Sequence, residues 1–291
     1  MQSNEKQNTV YCQLCHDVFL DVPSHKKHIS KLIIIPDALI NFFIFLNVLG
    51  FGSYGIVFKV RDKEDKMLKA LKFILKENSE EDLDIKILKT LYHPNIIRYF
   101  RSISKPEEGY IAIIMELADT DLYNFILDKK FTSEEMKYDF LIQVTEAINY
   151  LHNEITPPVI HRDLKPQNIL IVNNKIRLTD FGIARVKSSN DAMNISRTKE
   201  ALGTSRFMPP ELLTSTEKYF ICNAFQDIWS FGIIVHQMFS NGLHPFEYDA
   251  NASKNILEGK YKIDSAIKEG SIIHQIINGN LFYTDSFYIL L

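Results

Sequence analysis

The sequence predicts an α+β fold, with antiparallel strands in its first part and mainly helices after them. Three observations carry that reading. Runs rich in Val, Ile, Leu and Phe recur at 42–49, 56–60, 68–75 and 111–115 with turns between them, the mark of antiparallel strands. The first two runs flank a glycine-rich turn, Gly50-Phe51-Gly52-Ser53-Tyr54-Gly55. Beyond Asp119 the apolar positions change to helical spacing, most plainly Phe140, Leu141, Val144, Ile148 and Leu151 within 133–152.

Taken in order, residues 1–31 are polar and form a segment of their own, with two of the three Cys and three of the nine His. Residues 32–41 read as a connector, and 42–291 as the main domain. The run 32–49, LIIIPDALINFFIFLNVL, is the one membrane candidate. It carries Pro36, Asp37, Asn41 and Asn47, and an Asp in mid-span costs about 2.5–3.5 kcal/mol, so a membrane role is not expected. The strands at 42–49, 56–60 and 68–75 follow. Ser79-Glu80-Glu81-Asp82 has the form of a capping box, after which Leu83, Ile87, Leu88 and Leu91 fall on one helical face.

Composition is that of an ordinary globular chain, 291 residues with 46% hydrophobic and 24% charged. A formal net charge of -3 gives no reason to expect binding to nucleic acid or a membrane surface. Three Cys and a polar Met1–Val10 without an apolar core argue for a reducing compartment, cytoplasmic with the nucleus as alternative.

The turn at 50–57 reads G-x-G-x-x-G-x-V. A strand rather than a helix follows it, which excludes the dinucleotide fingerprint. A glycine hairpin between strands lets backbone N–H groups approach phosphates without Cβ obstruction. Ala70-Leu71-Lys72 lies on the next strand, so the Lys72 ammonium is returned beneath that turn. Farther on, His161-Arg162-Asp163-Leu164-Lys165-Pro166-Gln167-Asn168 is followed by Asp180-Phe181-Gly182. A lone loop Asp is usually a cap or turn residue. This order and spacing of Lys, Asp, Lys, Asn and Asp is instead what phosphoryl transfer from ATP to a hydroxyl needs.

Together these motifs resemble the eukaryotic protein kinases of Ser/Thr type over residues 42–263, which implies the bilobal kinase fold. The resemblance implies that Asp163 accepts the substrate hydroxyl proton and that Lys165 neutralises the γ-phosphate. Lys72 would hold the α- and β-phosphates, with Asp84 as its acidic partner. Asn168 and Asp180 would hold Mg²⁺. Leu49, Gly50, Gly52, Ser53, Gly55, Val57, Ala70, Met115, Glu116, Ala118 and Leu170 would complete the ATP site, with Met115 as gatekeeper. Leu88, His161 and Phe181 would stack in a regulatory column. Arg162, Thr198 and Thr204 would be regulatory, Arg162 by pairing with a phosphorylated activation loop within 180–211. The implied partners are a Ser/Thr-bearing protein substrate and, for the loop, an upstream kinase or the protein itself. His93-Pro94-Asn95-Ile96-Ile97-Arg98-Tyr99-Phe100 and Gly242-Leu243-His244-Pro245-Phe246 also look like the kinase domain of the unfolded-protein-response sensor kinase/endoribonuclease. Without a ribonuclease extension after Leu291, RNA cleavage is not carried over.

Two positions depart from the kinase pattern. Asp84 stands where Glu is usual, with roughly 1.5 Å less reach. No Lys or Arg follows Lys268, so the Arg that would meet Glu211 in a buried ion pair is missing, and the end of the domain reads as truncated or divergent. These departures motivate the alternative function, a kinase-like scaffold with weak or no activity.

Cys12-Gln13-Leu14-Cys15, Phe19, His25 and His28 resemble a small zinc finger, with Zn²⁺ on Cys12, Cys15, His25 and His28. The H-x-x-H spacing is tighter than usual. A polar leader with unrelated Cys and His is the competing reading.

Overall fold

The computed structural model describes residues 10–12, 18–19, 32–52, 55–75, 83–186, 194–196, 204–214, 219–221, 223–247 and 251–282. They divide into two compact units, one drawn from 1–81 and 98–117, the other from 82–97 and 118 onward.

The first unit is built on a five-stranded antiparallel sheet. Strands β1 (Val10–Cys12), β2 (Val18–Phe19) and β3 (Leu32–Ile34) form a small sheet of order β2-β1-β3. Helix α1 (Asp37–Phe42) leads into β4 (Phe43–Gly52), followed by β5 (Gly55–Asp62) and β6 (Leu68–Leu75). Strands β7 (Tyr99–Lys105) and β8 (Tyr110–Met115) complete the order β4-β5-β6-β8-β7. Directly paired residues share a face. Pairs such as Phe58↔Leu71 and Leu71↔Ile114 therefore stack their side chains on one side. That face, with Ile56, Phe58, Val60, Leu71, Phe73, Ala112 and Ile114, is the core of the unit.

The stretch expected to be a connector is part of this core. Ile35 and Leu39 are at most 1% exposed and pack against the sheet. Their apolar side chains gain more by covering the sheet than a linker would by staying in water. No helix among the described residues is long and apolar enough to cross a membrane. The membrane candidate instead folds as β3, α1 and β4. Strand β7 was not read from the sequence, because Tyr-Phe-Arg-Ser-Ile-Ser-Lys on an edge shows no clean alternation. At the start of β6, buried Lys69 and Asp62 bond at 2.9 Å, and Asp62 also accepts from Arg101 at 3.1 Å and from the Glu64 N–H at 2.9 Å. Burying these charges is tolerable only because they are paired.

In the second unit, α2 (Leu83–Leu88) buries Ile85, Ile87 and Leu88. The capping box ahead of it lies outside the described residues. Strand β9 (Thr120–Asp121) leads into α3 (Leu122–Leu127), whose first turn Asp121 caps by accepting from the Asn124 N–H at 2.8 Å. Helix α4 (Glu134–Asn149) begins at the Ser133 cap and ends in a π-turn, Tyr150–Glu154. Strands β10 (Val159–Ile160), β11 (Ile169–Val172) and β12 (Lys175–Leu178) carry the loops of interest. β11 pairs with β12 and β9, and β10 pairs with β13 (Arg185–Val186). Strands β14 (Asn194–Ser196) and β15 (Tyr219–Ile221) also pair. Helix α5 (Pro210–Thr214) precedes α6 (Phe225–Phe239), which is buried on nearly every side, as its apolar composition all round requires. Helices α7 (Ala252–Leu257) and α8 (Ile272–Phe282) follow, α8 burying Ile273 and Ile277.

Asn95 fastens the segment after α2. Its side chain donates to Gln143 Oε1 of α4 at 3.0 Å, and its carbonyl accepts from the Leu178 N–H at 2.8 Å. Gln143 in turn accepts from the Ile176 N–H at 3.0 Å. Glu211 is exposed in the first turn of α5, so the cost of a buried carboxylate anticipated from the missing Arg does not arise.

Candidate active site

In the first unit the sheet places several sequence-selected residues on one face. Val57 lies opposite Lys72, and Ala70 opposite Met115, so Val57, Ala70, Lys72 and Met115 share the face turned away from the core cluster. Lys72 is 7% exposed among them. Leu49 is exposed on β4, and Gly50 and Gly52 pair with Val57 and Gly55 in the hairpin. Ser53, at its tip, lies outside the described residues. Gly55 has φ +116, and a Cβ there would press on the Phe73 carbonyl oxygen, so the position demands glycine. The Glu116 N–H donates to Arg98 O at 2.9 Å.

The second unit assembles the catalytic loop. Buried Asp227 of α6 is its anchor. Its Oδ1 accepts from the Arg162 N–H at 2.7 Å, and its Oδ2 accepts from the His161 N–H at 2.8 Å and lies 2.8 Å from His152 Nε2. Burial pushes the Asp227 carboxyl up, but the His152 bond and charge, with the neighbouring donors, outweigh it and hold it below its ordinary value. This grip keeps Arg162 at φ 71, a left-handed conformation that costs about 1–3 kcal/mol for a residue with a Cβ. His152 was not singled out from the sequence, since no spacing rule joins positions so far apart.

Asp163, 4% exposed, is the centre of the polar group. Its Oδ2 accepts from Lys165 Nζ at 2.6 Å and from Asn168 Nδ2 at 3.1 Å. Its Oδ1 accepts from the Thr204 N–H at 3.0 Å and from the Thr204 hydroxyl at 2.8 Å. The same hydroxyl accepts from Lys165 Nζ at 2.9 Å. A carboxylate and an ammonium thus hold one hydroxyl between them, an arrangement able to take a proton from an alcohol and offset negative charge beside it.

Asn168 spends its amide N–H groups on Asp163, including the Asp163 carbonyl at 2.8 Å, so its Oδ1 remains to face a cation. The Ile169↔Leu178 pairing and the Thr179 N–H bond to Asn168 O at 3.0 Å bring the residue before Asp180 beside it. Asp180 has φ 66. A carbonyl and a carboxylate oxygen are the hard donors that suit Mg²⁺, which takes few protein ligands and completes its shell from phosphates and water. His161 Nε2 lies 2.8 Å from Thr179 O, and its Nδ1 accepts from the Asp163 N–H at 3.3 Å. Its ring meets Phe181 at 4.9 Å, while Leu88 is buried on α2. Arg162 Nη1 donates to Ile183 O at 2.8 Å. Ala118 and Leu170 are half-buried.

Asp84 lies on α2, with its side chain outside the described residues. Thr198, Cys15, His25 and His28 lie outside them as well, as does the side chain of Cys12. Among the described residues no cluster of three or more His, Cys, Asp or Glu could hold a metal ion.

Residues 43–277 match the family model "Protein kinase domain". The chain is similar to the Serine/threonine-protein kinase TIO of Arabidopsis thaliana, 34% identical over 69% of this chain and 15% of that protein. It is similar to the Probable serine/threonine-protein kinase nek2 of Dictyostelium discoideum, 32% identical over 74% of this chain and 53% of that protein. Calcium/calmodulin-dependent protein kinase type 1 of Macrobrachium nipponense is 33% identical over 77% of this chain and 64% of its own length. The chain therefore spans less than two thirds of each of these relatives.

Proposed function

This chain belongs to the protein kinase family, and from that membership we propose that it transfers the γ-phosphate of ATP to Ser or Thr hydroxyls of proteins. The observation that carries the reading is the Thr204 hydroxyl held between Asp163 and Lys165 at 2.8 and 2.9 Å. An acceptor hydroxyl in that place would give its proton to Asp163 as its oxygen forms the new bond to phosphorus. The bond between the γ-phosphorus and the bridging oxygen would break, leaving ADP. Lys165 would offset charge on the transferring group, and Lys72 would hold the α- and β-phosphates. Asn168 and Asp180 would hold Mg²⁺, which neutralises phosphate charge when bound. Val57, Ala70, Met115 and Leu170 would bound the adenine, with backbone groups of Glu116 and Ala118 as its polar contacts. Asp84 would partner Lys72.

Control by phosphorylation of the 180–211 segment belongs to the same proposal. Arg162, beside Asp163, would exchange its bond to Ile183 O for the stronger charge-assisted bonds of a phosphate on Thr198 or a nearby hydroxyl, added by an upstream kinase or by the protein itself.

Purified protein with γ-labelled ATP, Mg²⁺ and a generic basic protein tests the reading. Transfer is expected, and Asp163→Asn should lower it by roughly 10²–10⁴-fold, the range of a lost general base. Undiminished turnover in Asp163→Asn would overturn the role of Asp163. Nucleotide binding without transfer by the unaltered protein would favour the scaffold reading.

A further inference from the structure

The turn that follows Thr204 is fixed by residues to which the chemistry above gives no part. Its 3₁₀ turn, Ser205–Phe207, closes with the Phe207 N–H donating to Thr204 O at 2.9 Å and the Met208 N–H to Ser205 O at 3.2 Å. Two carbonyls of the turn accept side chains from elsewhere. Phe207 O accepts from Ser230 Oγ of α6 at 2.8 Å. Arg206 O lies 3.1 Å from Nε2 of His244, in the loop after α6. Arg206 also extends its guanidinium to Glu247 of that loop, at 2.6 Å.

His244 is 8% exposed, and its ring stands edge-on to Phe207 at 5.6 Å. Its Nδ1 accepts from the Phe246 N–H at 3.3 Å. With one nitrogen committed as acceptor, the other must carry the proton toward Arg206 O, which selects a single neutral tautomer. Burial pushes the imidazole down to about 4, against the backbone bond to Arg206, so that neutral form persists at physiological pH.

The loop that presents His244 is itself braced. His236 Nδ1 lies 2.9 Å from Leu243 O, while its Nε2 accepts from the Asp264 N–H at 3.1 Å. Asn255 donates to Phe246 O at 2.8 Å. A buried histidine that only filled space would need the contacts with Phe207 and Phe246 alone. Here its one donor goes to the carbonyl two residues from Thr204, from a loop with little freedom to follow that segment if it moved.

We propose that His244 is a positioning residue for phosphoryl transfer: through Arg206 O it sets the place of Thr204, and through Thr204 the Asp163–Lys165 pair that receives the acceptor hydroxyl. The inference rests on the kinase reading. Misplacing reacting groups by about 1 Å costs up to 10²-fold in rate, so the loss of one such bond is legible in kinetics.

His244→Phe keeps the ring and its aromatic contacts and removes the donor. His244→Gln restores an N–H near the reach of Nε2. With the generic basic protein as acceptor, His244→Phe should lower kcat/KM for the acceptor about tenfold and leave KM for ATP unchanged, while His244→Gln recovers most of the loss. His244→Phe added to Thr204→Ala should cost less than the sum of the two single losses, since both act through the place of residue 204, whose N–H bond to Asp163 survives in Thr204→Ala. Additive losses, or an equal effect on KM for ATP, would overturn the proposal. Hydrogen exchange reads the latch without catalysis. The Phe207 and Met208 amides should exchange faster in His244→Phe, and less markedly so in Glu247→Gln, a change at a part-exposed side chain that serves should His244→Phe fail to fold. Unaltered exchange at these amides in the folded variants would sink the latch whatever the activity, whereas absent transfer by the unaltered protein would sink the kinase reading instead.

Discussion

Replacing Asp227 by Asn tests the anchor of the catalytic loop. The carboxylate, 1% exposed, serves three donors: the Arg162 N–H at 2.7 Å, the His161 N–H at 2.8 Å and His152 at 2.8 Å. An Asn amide has one acceptor oxygen. If that oxygen takes the Oδ1 place it keeps Arg162, and the amide N–H can still meet His152 once that ring changes tautomer. The His161 N–H then faces another donor. One unsatisfied buried amide costs about 1–3 kcal/mol, and removing the charge from the two surviving bonds weakens each by roughly 0.5–1 kcal/mol. The sum is about 2–5 kcal/mol. Trp229, the sole tryptophan of the chain, stands two residues away on α6, so its fluorescence during urea unfolding reports this unit. Asp227→Asn should move that transition to lower urea by the corresponding amount and should also reduce phosphoryl transfer, because His161 and Arg162 directly precede Asp163. His152→Gln, which leaves both backbone bonds, should cost about 1 kcal/mol. A shift below about 1 kcal/mol for Asp227→Asn, or a larger one for His152→Gln, would refute the reasoning.

Gly55→Ala should weaken nucleotide binding and destabilise the first unit by about 1–3 kcal/mol, since φ +116 and the Phe73 carbonyl exclude a Cβ; an unchanged melting curve with wild-type ATP affinity would contradict this. Stability should also fall on acidification. The folded-state value of His244 lies at about 4, below its ordinary 6.5, so between those values the unfolded chain binds a proton that the folded protein refuses. The contribution is complete above pH 6.5 and is lost as pH falls toward 4, about 2 kcal/mol by pH 5 at 1.36 kcal/mol per unit. Burial lowers His236 and His93 in the same sense. Urea midpoints between pH 7 and pH 5 measure it, and a flat profile, or one unaltered by His244→Gln, would count against it.

The sequence by itself determined what depends on neighbours along the chain. The glycine hairpin, the strand carrying Lys72 and the order of Asp163, Lys165, Asn168 and Asp180 were legible because turn chemistry, short apolar runs bounded by turns and fixed loop spacing act over a few residues. Helix α4 was legible for the same reason, as its apolar positions repeat with the helical period. Only the tertiary structure decided how distant parts answer one another. Asp227 meets residues far up the chain, His244 reaches back to Arg206, and Ile35 and Leu39 close over a sheet from a stretch that reads as a connector. Glu211, expected to need a buried partner, is instead exposed on α5. Such contacts are set by which surfaces become adjacent when the core closes. A buried polar group then takes whichever donor or acceptor the fold presents, and no local periodicity records that choice.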